Sequence, residues 1–171
     1  VEKYVLPKYS VEVATDRPHY RPGELASGQV TSTYFFGKPV AGAEVLVEAY
    51  SFDVEYVMFA SDQGVTNESG IAPFAIDLPE YFVGSALDQG KAHVRLDITV
   101  TDAAAHVQQK TITIPVVEQD LVVALFPEGD RLFVGEPNEF FLVVSDPSGR
   151  PVEASGVVLL DGASYDVLTD A

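Results

Sequence analysis

The chain has 171 residues, 47% of them apolar, with 26 acidic and 10 basic side chains and a net charge of −16. This apolar content excludes a disordered chain, and the longest apolar runs are too short to cross a membrane. An acidic surface repels phosphate backbones and anionic lipids, so we expect neither nucleic acid nor a membrane among the partners. The absence of cysteine excludes disulfides, thiolate metal sites and thioesters from this stretch.

Residues 1–117 carry the pattern of seven short strands. Apolar side chains occupy every second position of Ala92–Val100, a period of two that predicts a strand with one face on a core. Glycine, proline, asparagine and serine separate the apolar stretches, which is typical of an antiparallel β-sandwich. In chain order the predicted strands are Ser10–Ala14, Gln29–Phe36, Glu44–Phe52, Glu55–Ala60, Ile71–Leu78, Ala92–Val100 and Gln109–Val116.

A faint repeat links this region to the rest of the chain. Gly23-Glu24 and Gly37-Lys38-Pro39-Val40 recur 112 residues later as Gly135-Glu136 and Gly149-Arg150-Pro151-Val152. A constant offset between several turn residues indicates two copies of one structural unit in tandem. The strands predicted for the second copy are Leu121–Phe126, Glu139–Ser145, Gly156–Leu160 and Tyr165–Thr169.

The predicted fold class is therefore all-β, with two tandem antiparallel sandwiches of the immunoglobulin or fibronectin-III kind. Residues 1–117 are expected to form a complete seven-stranded sandwich, and residues 118–171 an incomplete second one. The short Val116–Asp120 link predicts two sandwiches held end to end. An incomplete sandwich has an unpaired edge, so we expect it to favour a dimer or strand exchange.

The three histidines, His19, His93 and His106, form no recognisable catalytic or metal-binding pattern. His93 falls on the polar face of its predicted strand, and His19 lies in the turn between Pro18 and Pro22. No spacing of serine, histidine and acid matches a nucleophilic triad, and no His-Glu-x-x-His or Cys/His cluster offers a transition-metal site. We therefore predict no catalytic, cofactor-binding or metal-binding residue and no enzyme activity.

Three further patterns bear on binding. Asp53, Glu55 and Asp62 are close in sequence and could hold a hard cation at a domain junction, although the calcium-loop pattern Asp-x-Asx-x-Asx-Gly is absent. Asn67-Glu68-Ser69 is a formal glycosylation sequon, relevant in a eukaryotic secretory host. The aromatic side chains are spread over several strands, which favours core and corner packing over a sugar-binding platform. They are Tyr4, Tyr9, Tyr20, Tyr34, Phe35, Phe36, Tyr50, Phe52, Tyr56 and Phe59.

Several segments resemble the alpha-2-macroglobulin and complement family. Val1–Tyr9, with the sequence VEKYVLPKY, resembles the VEEYVLPKF junction between that family's second and third macroglobulin-like domains. Tyr34–Ala43 resembles the third domain's Y-x-(Y/F)-G-K-P-V-x-G. Phe126–Leu132, with Gly135 and Asn138, resembles the FPEGG-x-L-x-x-G-x-N opening of bacterial relatives and departs from it at Asp130. The lack of cysteine fits a bacterial member better than the disulfide-bearing animal proteins.

The resemblance implies a third macroglobulin-like domain followed by part of a fourth. Members of the family trap proteases: a bait segment is cut, the molecule collapses around the protease, and an internal Cys–Gln thioester often bonds to it. Neither part carries over, because this stretch has no cysteine and the bait lies in a later region of the family's chains. What the resemblance implies here is a scaffold role, with domain contacts expected at Leu6-Pro7-Lys8 and Glu118–Asp120.

The leading hypothesis is a non-catalytic scaffold fragment of a bacterial protein that traps and inhibits proteases. Its expected partners are neighbouring macroglobulin-like domains and, through the longer protein, target proteases. We expect an extracellular, cell-surface or periplasmic location. The alternative is a tandem immunoglobulin-like sandwich from a surface adhesin, in which exposed aromatics or acidic loops bind carbohydrate or calcium.

Overall fold

The computed structural model describes residues 7–83, 91–129 and 134–170. Within these ranges the chain forms strands and no helix, which confirms the all-β fold class, and no helix there could span a membrane. Residues 1–6 of the first family motif and Asp130, the point of departure from the third, lie outside the described residues. The strands are β1 (Tyr9–Thr15), β2 (Leu25–Tyr34), β3 (Glu44–Phe52), β4 (Tyr56–Val65), β5 (Ile71–Asp77), β6 (Lys91–Thr101), β7 (Val107–Val117), β8 (Val122–Pro127), β9 (Phe140–Ser145), β10 (Ala154–Leu160) and β11 (Ala163–Thr169).

The chain divides into two compact units, Val1–Glu118 (unit 1) and Gln119–Ala171 (unit 2). Unit 1 contains two antiparallel sheets with strand orders β1-β2-β5 and β4-β3-β6-β7. One core cluster joins side chains from both sheets, such as Val30 and Ile76 from the first and Val47 and Leu96 from the second. Two sheets that share a core in this way form a sandwich, as predicted.

Alternation along the strands decides which side chains reach this core. Val94, Leu96, Ile98 and Val100 of β6 are at most 1% exposed, and the residues between them are half-buried on the outer face. The period of two thus identifies the buried face correctly. Close packing also explains a glycine within β2, because a Cβ at Gly28 would lie 2.5 Å from the Ala14 carbonyl oxygen and 2.6 Å from the Phe74 ring.

The predicted end of β4 was too early. The apolar pattern stops at Ala60, whereas β4 continues to Val65 through the polar stretch Ser61–Gly64. Pairing with β3 carries the strand on, since the register runs unbroken from Ala49 opposite Ala60 to Glu44 opposite Val65. Backbone hydrogen bonds to a neighbouring strand therefore override weak strand propensity here.

Unit 2 repeats the start of unit 1 with the same offset of 112 residues. Val11 lies opposite Ser32 in the β1–β2 pair, and Val123 lies opposite Val144 in the β8–β9 pair. The loop that follows repeats as well, because the Thr33–Pro39 bridge corresponds to the Ser145–Pro151 bridge. The repeated turn glycines therefore belong to repeated hydrogen-bonded structure.

The second hairpin of unit 2 departs from this repeat. β10 and β11 join through the two-residue turn Asp161-Gly162, where φ is 49° and 81°, as a type I′ turn requires. β3 and β4 instead join through a longer tip around Asp53 and Glu55. Val144 is buried in unit 2, whereas Leu159 and Leu168 are more than 70% exposed. Dimerisation through this unit stays a prediction.

Candidate functional site

The structure keeps His93 and His106 of unit 1 apart. His93 is exposed on β6 opposite Pro115, on the polar face as predicted, and His19 is half-buried beside Tyr20. His106 lies in the turn after the other end of β6. Thr101 is eight residues beyond His93, which is about 26 Å of extended strand. No catalytic or metal-binding pair of His93 and His106 is therefore possible.

The three carboxylates weighed as a cation site are not gathered either. Asp53 and Glu55 lie in the β3–β4 turn, where the Asp53 amide donates to the Glu55 carbonyl at 3.0 Å. Asp62 is six residues along β4 from Tyr56, about 20 Å away. Its Oδ2 accepts a hydrogen bond from the Ala75 amide at 2.9 Å, which covers a backbone donor on the edge strand β5. Among the described residues no group of three acidic or histidine side chains could hold a metal ion.

The aromatic side chains fall into two groups. Tyr9 and Tyr20 are 1% exposed and belong to the core, as the packing interpretation expects. Phe35 and Phe36 are 66% and 76% exposed, and Phe52 is 56% exposed. Packing in the core therefore does not account for the exposed group.

On the outer face of the four-stranded sheet, an arginine of the same chain covers the rings that a sugar would stack on. The Arg95 guanidinium lies 4.6 Å from the ring centre of Tyr50 and 4.1 Å from that of Tyr56. Asp97 fixes it with an ion pair of 3.0 Å. Because the cation covers one face of each ring, these two tyrosines present less open surface for a sugar.

A polar cluster that joins the two sheets lies in the β6–β7 turn, around the buried Asp102. Its Oδ1 accepts hydrogen bonds from the backbone amides of Ala104 and His106, both at 2.9 Å. Its Oδ2 lies 3.0 Å from Nδ1 of His106 and accepts the Tyr34 hydroxyl at 3.2 Å. Ala105 has φ of 61°, a left-handed conformation that closes the five-residue turn. We name Tyr9, Tyr34, Asp102 and His106 the Asp102 network.

Tyr9 and Tyr34 connect this turn to the first sheet. They lie opposite each other in the β1–β2 pair, and their rings meet edge to face at 5.8 Å. The Tyr9 hydroxyl has the Val100 and His106 carbonyl oxygens at 2.8 Å each. A sheet-to-sheet link of this kind fixes one end of the sandwich.

Burial and charge set the protonation states in the network. Burial, reinforced by the nearby Asp102 charge, raises the pKa of Tyr9 to about 12. The same two causes raise the pKa of Tyr34. Burial opposes ionisation of Asp102, but the hydrogen bonds from His106 and Ala104 outweigh it and hold the pKa of Asp102 below its usual value. At neutral pH the network therefore contains a carboxylate and two neutral tyrosines.

The hydrogen bonds described for Asp102 all lie within the turn or reach Tyr34. A histidine–aspartate pair needs a nucleophile beside the imidazole to perform acyl transfer. In the part of the chain that the structure describes, no serine or threonine hydroxyl bonds to the His106 ring. The carboxylate instead holds the turn closed and anchors Tyr34.

The anchored Tyr34 carries an exposed aromatic turn. Its ring stacks on Phe36 with centroids 5.2 Å apart and an interplanar angle of 7°. The turn Tyr34–Lys38 closes through the Gly37 amide on the Tyr34 carbonyl at 2.7 Å and the Tyr34 amide on the Lys38 carbonyl at 2.9 Å. We name Phe35, Phe36 and Lys38 the aromatic tip; all three are exposed.

Sequence reasoning missed the Asp102 network, although a local signal for its turn exists. The same hydrogen-bonded turn forms at Asn67, whose Oδ1 accepts from Ser69 and Ile71. It forms again at Asp146, whose Oδ1 accepts from Ser148 and Arg150. An Asp or Asn three residues before a left-handed residue marks each case. At Asp102 the left-handed residue is alanine rather than glycine, which concealed the pattern.

Comparison with known proteins gives a consistent result. Residues 3–72 match the family model described as macroglobulin domain MG3. A curated protein named alpha-2-macroglobulin, from Thermotoga maritima, is 29% identical over 154 residues, which is 89% of this chain. The sequence of unit 1 and the family resemblance therefore point to the same group of proteins.

Solved structures share the fold. The native conformation of E. coli alpha-2-macroglobulin matches 99% of this chain with a TM-score of 0.61 and 9% identity. The trypsin-activated form of the E. coli protein matches 100% of the chain, also with a TM-score of 0.61, at 11% identity. The chain spans 14% of those solved chains and 10% of the Thermotoga protein.

Proposed function

We propose that the chain is a non-catalytic scaffold segment of a longer bacterial protein of the alpha-2-macroglobulin family, one that traps and inhibits proteases. The observation that carries this proposal is the macroglobulin-domain match over residues 3–72, together with the relative that covers 89% of the chain. The E. coli protein of this fold has a trypsin-activated form, which supports protease engagement as the activity of the whole molecule.

The domain assignment is part of the proposal. We take residues 1–117 as the third macroglobulin-like domain and residues 118–171 as part of a fourth. The division of the chain after Glu118 supports this boundary, and so do the repeated register and bridges of unit 2. The contacts expected at Leu6-Pro7-Lys8 and at Glu118–Asp120 stay predictions.

A scaffold role agrees with what the side chains do. The buried polar groups Asp102 and Thr66 serve backbone structure: the Thr66 hydroxyl accepts from the Ala43 amide at 2.8 Å and donates to the Val40 carbonyl at 2.6 Å. Polar groups used in this way stabilise loops and leave no reactive atom poised for substrate. Catalysis is therefore no part of the proposal.

The proposed location is the periplasm, the cell surface or the extracellular space, where foreign proteases would be met. The expected partners are other macroglobulin-like domains and, through the longer protein, the proteases themselves. The net charge of −16 supports a surface that stays soluble and avoids nucleic acid.

The test uses the longer protein that contains this chain. It is incubated with a broad-specificity protease, and the protease is then assayed on a large protein substrate and on a small peptide. A trap encloses the protease, so we expect activity on the large substrate to fall while activity on the peptide persists.

The 171-residue chain, at equal concentration, is the matched control and should inhibit neither reaction, because two sandwiches cannot enclose a protease. If the longer protein leaves protease activity on both substrates equal to that of untreated protease, the trap proposal is wrong. The adhesin alternative would then lead, and its signature would be a calcium-dependent rise in melting temperature.

A further inference from the structure

The aromatic tip exposes two large apolar rings on a turn. Phe35 is 66% exposed and Phe36 is 76% exposed, at adjacent positions. Lys38, also exposed, follows two residues later. Adjacent exposed aromatics are costly to leave in water and are enriched at interface anchors.

The equivalent turn of unit 2 shows which residues the turn conformation requires. The corresponding turn of unit 2 runs from Asp146 to Arg150 and makes the same pair of backbone hydrogen bonds, both 2.9 Å long. Pro147 and Ser148 stand there at the positions of Phe35 and Phe36. Since the same turn closes without aromatic side chains, turn formation does not explain the two phenylalanines.

The Asp102 network holds the Phe36 ring of the tip in place before any contact is made. Phe36 stacks on Tyr34, and the Tyr34 hydroxyl is bound to the buried carboxylate of Asp102. Tyr9 meets the Tyr34 ring from the side. Rings that are already ordered lose little conformational entropy on docking, which favours binding.

We propose that Phe35, Phe36 and Lys38 form a docking surface for another domain of the same polypeptide, one that presents an apolar surface edged by carboxylates. This inference rests on the proposed function, which makes the chain part of a longer protein. The Thermotoga relative is about ten times longer than the matched region, so tethered domains reach a high local concentration.

Charge identifies the chemistry of the docking partner. Lys38 places an ammonium beside the two rings in a chain with 26 acidic and 10 basic side chains. Residues 118–171 alone have 11 acidic and 2 basic side chains, so a domain of similar composition would supply carboxylates around an apolar contact.

Photo-cross-linking in the longer protein tests the proposal directly. Phe36 is replaced by p-benzoylphenylalanine, the protein is irradiated, and the linked peptide is identified by mass spectrometry. We expect an intramolecular link to a peptide from outside Tyr34–Lys38 in another domain, with acidic residues near it. A link between two copies, a link to a different protein, or links confined to unit 1 would each overturn the proposal.

A variant pair separates docking from folding. Phe35→Pro/Phe36→Ser gives the tip the two residues that the equivalent turn already carries, and Val54→Ser/Val57→Ser removes exposed apolar side chains from the β3–β4 hairpin as a control. In the longer protein we expect the Tyr34 and Lys38 amides, whose own and preceding residues are unchanged, to exchange about tenfold faster in the first variant than in wild type. The control variant should leave their exchange unchanged.

In the 171-residue chain the first variant should leave those amides unchanged, because the docking partner lies in another domain. An equal acceleration in both proteins would assign the rings to folding, and no acceleration in either would leave them without a partner; both outcomes reject docking. A longer protein that cages proteases but gives no interdomain link would refute only the docking surface, whereas an interdomain link without caging would refute only the trap.

Discussion

Two turns separated by 112 residues make the same pair of backbone hydrogen bonds but are stabilised by different side chains. The Asp146–Arg150 turn of unit 2 is supported locally: Asp146 accepts hydrogen bonds from the Ser148 and Arg150 amides and pairs with the Arg150 side chain at 3.0 Å. The Tyr34–Lys38 turn of unit 1 lacks a carboxylate at its first position. It is supported through the Tyr34 hydroxyl, which donates to Asp102, a residue 68 positions away in sequence.

The difference shows that a turn can be stabilised from within or from a distant element. Local support makes the Asp146 turn independent of the surrounding sandwich. Distant support ties the Tyr34 turn to the β6–β7 turn, so that a change at one should reach the other. Because Asp102 stabilises the Tyr34 turn from outside, positions 35 and 36 can hold exposed phenylalanines.

The largest loss of stability should come from removing Asp102, which supports the Tyr34 turn from the β6–β7 turn. Asp102→Ala removes the acceptor of four hydrogen bonds at a site that is 7% exposed, and we expect unit 1 to lose about 3 kcal/mol of unfolding free energy. Asp146→Ala is the matched control and should cost less, since solvent replaces its lost bonds. Urea titration followed by hydrogen exchange of each unit measures both, and equal losses would contradict the contrast.

The second-largest effect should be a loss of unit 1 stability at alkaline pH. The pKa values of Tyr9 and Tyr20 are raised to about 12, chiefly by burial. Below pH 10 both tyrosines are neutral in the folded and unfolded chain, so their contribution is complete; as pH rises toward 12 the unfolded chain ionises first and stability falls.

Melting temperature measured between pH 9 and 12 checks this prediction. Tyr9→Phe removes one of the tyrosines whose pKa is raised and should make the decline with pH shallower, although the variant starts from lower stability because it loses the hydrogen bonds to Val100 and His106. An unchanged slope in Tyr9→Phe would show that Tyr9 does not drive the alkaline loss.

A smaller effect should follow the left-handed residue of each turn. Gly149 has φ of 86°, and Gly149→Ala should cost about 1 kcal/mol through backbone strain, with no clash because nothing lies within 4 Å of a Cβ there. Ala105 has φ of 61°, so Ala105→Gly relieves similar strain and should stabilise unit 1 by about 0.5 kcal/mol after the entropy of glycine is counted. Thermal unfolding should give shifts of opposite sign for the two variants.

The smallest effect should come from exchanging the exposed residues between the turns. Phe35→Pro/Phe36→Ser should change the stability of the 171-residue chain by no more than about 0.5 kcal/mol, because both rings are mostly in solvent. Thermal unfolding of the isolated chain measures it. A loss of several degrees would mean that the Tyr34–Phe36 stack, rather than the network beneath it, supports the turn.

Much of the fold could be predicted from local patterns. Strand β3 was predicted with the ends that the structure shows, and β6 and β7 within two residues, because alternation and turn chemistry act between near neighbours. The end of β4 could not be predicted in this way, because pairing with β3, and not the side chains of Ser61–Gly64, extends the strand. The Asp102 network was not predicted because its members come from β1, β2 and the β6–β7 turn.

The sequence by itself determined the all-β class, the period that selects buried side chains, the repeat at 112 residues and the family resemblance. These properties depend on residues close together in the chain or on a fixed spacing. Only the tertiary structure decided that Asp102 is buried beneath Tyr34, that Asp62 covers an edge strand, and that Phe35 and Phe36 remain in solvent. Burial and long-range hydrogen bonds depend on which strands become neighbours, and the packing of two sheets settles that.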